Sequence, residues 1–236
     1  IGKGLGRGRA FYCQSSEELK ASASHETSED PMILQEWHEG RGYGVFGYRT
    51  SDGVRAWSGH RRVRMMNPAG SGSSCCETFT PSSGIRESVE RFLDSSDWRG
   101  LFMVELLRDG EERDWFMELN GRSWGSMALA RAGGMEYPSW AVLDAIGELP
   151  EIPLEVDSGH RRGRHLGREI VHLLMVLRGA GRNAGMRWPR RVSTIRDLLA
   201  FRRSDRWYNR RKGDAAVFWS DTRSCVMAQL FKRKRS

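Results

Sequence analysis

Lysine is nearly absent from the first two thirds of this chain: residues 1–158 contain only Lys3 and Lys20. Anion chemistry in that region must therefore draw its positive charge from arginine, histidine or backbone N–H groups. Cysteine is just as sparse. Cys13, Cys75, Cys76 and Cys225 form no CxxC pair and no zinc spacing. That argues against a zinc ribbon or a disulfide scaffold and implies structural thiols in a reducing, cytoplasmic setting. No apolar run approaches the roughly 18 residues of a membrane-spanning helix, so no span is expected. The phosphate-loop ending G-K-[ST] does not occur. Ile1 stands where a Met would, with no secretory leader pattern after it, and the expectation is a fragment or processed chain.

What is present describes a globular chain. Of 236 residues, 39% are hydrophobic and 29% charged, enough for one sizeable core with an appendage. The net charge of +8 is unevenly spread: residues 159–236 carry 21 Lys/Arg against 5 Asp/Glu, and residues 1–158 carry 17 against 25. Basicity thus belongs to the last third, and binding of nucleic acid or an anionic surface would have to occur there. An acidic domain docked on a basic tail uses the same asymmetry, and nucleic acid is not the expected partner.

Local patterns suggest the elements. Ser15 and Glu18 have capping-box spacing at the start of a helix. "YGVFGYRTSDGVRAWSGHRRVR" alternates around a "SDG" turn and reads as a hairpin, as does "GLFMVELLRDGEERDWFMELN" around "RDGEER". "GIRESVERFLDSS" places Ile85, Val89 and Phe92 on one helical face. "SWGSMALARAGGMEYPSWAVLDAIGEL" reads as two helical pieces. Beyond residue 150 "GHRRGRHLGREIVHLLMVLRG" and "RVSTIRDLLAFRRSDRWYNRR" read as basic helices. The expected division is therefore 1–150 and a helical extension, 151–236.

The second hairpin carries the chemistry. On its last strand, Glu118 and Asn120 share one face, with Met117 and Leu119 on the other. Glu105, thirteen residues before Glu118, can face it across the hairpin. Two carboxylates and an amide carbonyl are hard oxygen donors suited to Mg²⁺; an ordinary solvated carboxylate pair has the same pattern. In "HRRVR", alternation puts His60, Arg62 and Arg64 on one face, suited to a carboxylate or phosphate.

Taken in order, "LQEW…G…YGV", "HRRVR", "GSGSS", "GLFMVE" and "MELNGRSWGS" resemble the ATP-grasp superfamily, most closely its carboxylate–amine ligases. The resemblance runs from about Leu34 to Pro138. It implies an α+β fold of antiparallel sheets with packed helices, two lobes clamping a nucleotide, and an upstream domain not contained in this chain. By residue, it implies Glu105, Glu118 and Asn120 as metal ligands and Arg122 as a contact to the transferred phosphoryl group. Lys3, ahead of the Gly4–Gly8 flap, falls on a phosphate-contacting lysine. Gln35, Glu36, Trp37 and His38 fall on the segment that meets adenine through its backbone, and His60, Arg62 and Arg64 on the substrate side. Trp37, Trp57, Trp115 and Trp124 read as core. ATP with Mg²⁺, or Mn²⁺ in its place, is the implied cofactor set; a small carboxylate and an amine are the implied substrates, and a homodimer is left open. The implied activity is an ADP-forming ligase. Its rivals are a non-catalytic nucleotide-binding relative and a basic module for anionic surfaces. Three departures stand out: Gly42 where an acidic ribose contact is common, "NGR" for "NPR", and the lack of a second lysine.

Overall fold

The computed structural model describes residues 13–24, 32–70, 72–152, 159–181 and 187–231. Two units separate, residues 1–38 and 39–236. In the first, helix α1 (Ser16–Ala23) is capped by Ser15, whose hydroxyl accepts from the Glu18 N–H at 3.2 Å. The Glu18 carboxylate reaches back to the Gln14 N–H at 2.7 Å, so the capping box forms one residue out of register. The strand expected at Ala10–Cys13 lies almost wholly outside the described residues.

The second unit has an α+β fold built on one seven-stranded sheet. Its strands are β1 (Arg41–Thr50), β2 (Gly53–Met65), β3 (Ser73–Thr78), β4 (Gly100–Arg108), β5 (Asp114–Asn120), β6 (Arg162–Arg164) and β7 (Asp205–Trp207), in the order β5-β4-β1-β2-β3-β6-β7. Every pairing is antiparallel except β6 with β7. Both expected hairpins form. The first turns through Ser51 and Asp52 into Gly53, whose φ of +106° favours glycine. In the second, the Asp109 carboxylate accepts from the Glu111 and Arg113 N–H groups and from the Trp115 indole. These bonds, Trp115 foremost, hold its carboxyl below the usual carboxylate range.

Helix α2 (Ser83–Ser95) covers one sheet face, burying Ile85, Val89 and Leu93 against Tyr43, Val45, Phe102 and Val104. Phe92, expected on the buried stripe, lies at its edge against Phe116. Helices α3 (Met127–Arg131) and α4 (Tyr137–Ala145) cover the other face, where Phe46, Tyr48, Met103 and Trp124 meet Tyr137 and Trp140. Pro138 sits in the first turn of α4, where its missing N–H has no intrahelical partner to lose. Each such side chain contributes about 1.5–3 kcal/mol on burial.

The C-terminal region is not purely helical. Besides the helices α5 (Leu166–Arg178), α6 (Arg191–Leu199) and α7 (Ala215–Phe231), it adds two strands to the sheet, β6 ahead of α5 and β7 between α6 and α7. "HRRGRHLG" therefore opens as a strand. Gly163 is needed there, because a Cβ would stand 2.0 Å from the Tyr208 ring. The helix expected through "AFRRSDRWYNRR" stops at Leu199. The Leu198 carbonyl is taken by Arg164 at 2.6 Å, and the chain then returns as β7. Among the described residues no helix is long and apolar enough to cross a membrane.

Candidate functional site

Strand register assembles the site. Glu118 on β5 lies directly opposite Glu105 on β4, which lies opposite Gly44 on β1, which lies opposite His60 on β2. Directly paired residues of an antiparallel sheet project from the same face, so Glu118, Glu105 and His60 share the face covered by α3 and α4. Asn120, two residues past Glu118, projects beside them, and its Nδ2 donates to Glu118 Oε1 at 2.7 Å. That bond uses an amide N–H, and the Asn120 carbonyl oxygen keeps its lone pairs as an acceptor.

Glycine shapes the floor. A Cβ on Gly42 would stand 2.7 Å from Arg62 Cδ, and one on Gly44 would stand 2.7 Å from His60 Cε1. The Arg62 side chain thus crosses bare backbone at Gly42 to form an ion pair with Glu105. Gly42, which departs from the acidic ribose position of the resemblance, is here the passage for an arginine. Burial pulls the Arg62 guanidinium below its ordinary value, while Cys76 and Glu118 act in the opposite sense. In Gly44→Ala the new methyl displaces the imidazole and the Phe46 ring, and a loss of about 1–3 kcal/mol is expected in urea unfolding.

His60 is 3% exposed, and its Nδ1 meets Ser126 Oγ at 2.7 Å. Burial first, and the Arg62 charge second, push its pKa down to about 3, so the ring is neutral at physiological pH. Its Nε2 is buried with no hydrogen-bond partner among the described residues. Sequence reading missed the Ser126 link; the two residues are 66 positions apart.

Other expected residues fall elsewhere. Arg64 does not share a face with His60 and Arg62. Between Arg62 and Arg64, β2 advances two residues while β3 advances from Cys76 to Cys75, a bulge that turns Arg64 over. Its Nη2 meets Glu169 at 2.6 Å. Arg122 is exposed on the turn after β5 and donates to the Ser123 carbonyl at 3.3 Å. Gln35, Glu36, Trp37 and His38 belong to the 1–38 unit, in a segment outside helix and strand, with a His38–Glu36 contact of 3.6 Å. Trp37 is 52% exposed, so it is not core, whereas Trp57 and Trp124 are buried. Lys3 and Gly4–Gly8 lie outside the described residues.

Among the described residues no group of three His, Cys, Asp or Glu side chains is arranged to hold a metal. The present set is two carboxylates and an amide on one sheet face. By chemistry it fits a hard divalent ion that takes its remaining ligands from water or phosphate.

No protein-family model matches this chain, and no curated protein sequence does. Among solved structures it is similar to the biotin carboxylase–β-γ-ATP complex of Campylobacter jejuni, at 14% identity and TM-score 0.45 over 54% of this chain and 30% of that one. It is similar to the biotin carboxylase domain dimer of the 2-oxoglutarate carboxylase of Hydrogenobacter thermophilus, in complex with MgADP, ADP and bicarbonate. There the identity is 12% and the TM-score 0.44, over 62% of this chain and 34% of that one. The L-amino acid ligase of Bacillus licheniformis is a third, at 13% identity and TM-score 0.38, over 47% of this chain and 29% of that one. This chain spans about a third of the length of these structures. At such identities the functional reading rests on the residues of this chain.

Proposed function

We propose that this chain is part of an ATP- and Mg²⁺-dependent ligase of the ATP-grasp type, which activates a carboxylate as an acyl phosphate for attack by an amine. The observation that carries the reading is the direct opposition of Glu105 and Glu118 on paired strands, with Asn120 on the same face. These residues also lie within the motifs whose order and spacing carry the sequence resemblance. In the reaction a carboxylate oxygen of the substrate attacks the γ-phosphorus, and the bond to ADP breaks. The amine nitrogen then attacks the acyl carbon, forming the C–N bond and releasing phosphate.

Glu105, Glu118 and the Asn120 carbonyl would hold the ion. When bound, Mg²⁺ offsets the triphosphate charge and orients the phosphoryl group. Arg62 fixes the Glu105 carboxylate from the side, a positioning role. Arg122, exposed and with no carboxylate partner among the described residues, offers a planar fork to phosphoryl oxygens. His60 is neutral and desolvated, so it can donate or accept one hydrogen bond without adding charge.

The test is ADP release by the intact protein supplied with Mg·ATP and a panel of amino-acid carboxylates and amines. Glu118 is exposed, so Glu118→Gln should keep the melting temperature while turnover falls roughly a hundredfold, about 2.7 kcal/mol of lost transition-state stabilisation. Unchanged turnover in Glu118→Gln refutes the assignment. The Arg62–Glu105 ion pair, which engages one proposed ligand, favours a second reading: a nucleotide-binding protein without turnover. Mg²⁺-dependent ATP binding with no ADP release across the panel would select it.

A further inference from the structure

The sheet face turned away from Glu105 and Glu118 carries a cavity of ≈ 350 Å³ between β1, β2 and the segment after α6. Its lining includes Arg41 from β1, Arg61 and Arg64 from β2, Arg162 from β6 and Arg202 from the approach to β7, with the carboxylates of Glu77 and Asp197; Arg62, whose side chain pairs with Glu105, also borders it. Register places Arg61, Arg64 and Arg162 on the α2 side of the sheet: Arg61 is opposite Tyr43 and Glu77, Arg64 is opposite Cys75, and Arg162 is opposite Glu77. The bulge that removes Arg64 from the carboxylate face delivers it here.

The partners of these arginines leave the cavity positive. Arg61 Nε donates to Glu77 at 2.7 Å, and Arg64 pairs with Glu169 at 2.6 Å. Arg162 lies 3.6 Å from Asp205, a carboxylate it shares with Arg164. The buried Nε atoms of Arg64 and Arg162 have no hydrogen-bond partner among the described residues. Arg41 and Arg202 are exposed and make no ion pair among the described residues. Guanidinium groups gathered around one space repel each other unless an anion enters.

Geometry narrows the anion. The donors arrive from three strands and a loop, hence from several directions. A planar carboxylate accepts one fork in its own plane, whereas a tetrahedral phosphate accepts from all sides. The volume lies near the lower end of the roughly 300–1,000 Å³ range of small-molecule sites. We infer that this cavity binds a small phosphate-bearing molecule, a phosphate monoester or diphosphate, on the opposite face of the sheet from the proposed nucleotide site. The site stands independently of the ligase reading.

Titration calorimetry of the intact protein with inorganic pyrophosphate, in phosphate-free buffer at about 0.15 M salt, tests it. Arg41→Ala/Arg202→Ala removes two exposed guanidiniums and should weaken binding roughly tenfold or more. Arg210→Ala/Arg211→Ala removes the same charge from another exposed stretch and should bind as the parent does. Both variants should melt with the parent, because the four side chains are exposed. No measurable pyrophosphate binding by the parent, equal affinity in Arg41→Ala/Arg202→Ala, or equal loss in both variants would overturn the site.

Discussion

Replacing Arg164 with alanine should lower the unfolding free energy by about 3–5 kcal/mol. Arg164 is 1% exposed and stands between two carboxylates that are themselves buried, Glu169 and Asp205. Its Nε and Nη2 donate to Glu169 Oε2 at 2.9 and 2.5 Å, its Nη1 to Asp205 at 3.1 Å, and its Nη2 to the Leu198 carbonyl at 2.6 Å. The guanidinium lies 5.5 Å from the Phe201 ring centre and 5.3 Å from that of Trp207. The cost comes mainly from the charges left behind. Among the described residues, Asp205 would retain Arg162 at 3.6 Å and the Arg202 N–H. Arg164→Met, which restores volume, should therefore recover little of the loss. Because the network joins β6, α5, the end of α6 and β7, unfolding should remain one cooperative step. At roughly 2–4 °C per kcal/mol for a chain of this size, the melting temperature should fall by about 10 °C. A fall of only a degree or two would show that these charges are solvated.

Acid should destabilise the protein through His60. The imidazole has an ordinary value of 6.5 and is held at about 3 in the folded state. Between those values the unfolded chain binds a proton that the native state refuses, so stability rises with pH. The stabilisation is complete above pH 6.5, fades as pH falls, and is gone below about 3. At 1.36 kcal/mol per pH unit, lowering the pH from 6.5 to 5 costs about 2 kcal/mol. The groups facing the ring are Arg62, which reinforces the effect, Ser126, which does not titrate in this range, and Phe46. Burial lowers His165 and His172 in the same sense, so the parent protein should be steeper than His60 alone predicts. The decisive quantity is a difference. The slope of unfolding free energy against pH from 6.5 to 5 should flatten by about 1 kcal/mol per pH unit in His60→Gln. Identical slopes would mean that the ring is already solvated.

Much of the carboxylate face could be read in advance because it depends on local rules. Alternation puts Glu118 and Asn120 on one face of β5, but the register carried from the turn, with Leu106 opposite Phe116, would set Glu105 against Met117; a bulge between Glu105 and Leu106 brings Glu118 opposite instead. Residues that break alternation were misread. A single bulge at Val63 sends Arg64 to the opposite face, and nothing in "HRRVR" marks it. The three-residue strands β6 and β7 are too short to carry a period, and their arginines gave them the look of a solvated basic helix. In fact Arg162 and Arg164 are buried and share Asp205, 43 and 41 residues away, and Arg164 also pairs with Glu169. The glycines of "RGYGVFG" did hold information: Gly42 and Gly44 fall on one face because Arg62 and His60 cross there, a pairing visible only once β1 and β2 are in register.

The central claim is that Glu105, Glu118 and Asn120 hold a divalent ion on a nucleotide. Calorimetric titration of ATP into the intact protein, with Mg²⁺ and then with EDTA, tests it most directly. The account predicts that Mg²⁺ tightens ATP binding by roughly tenfold or more, about 1.4 kcal/mol, and that Glu118→Gln abolishes this increment while remaining folded. An ATP affinity indifferent to Mg²⁺, or an increment that survives in Glu118→Gln, would contradict it.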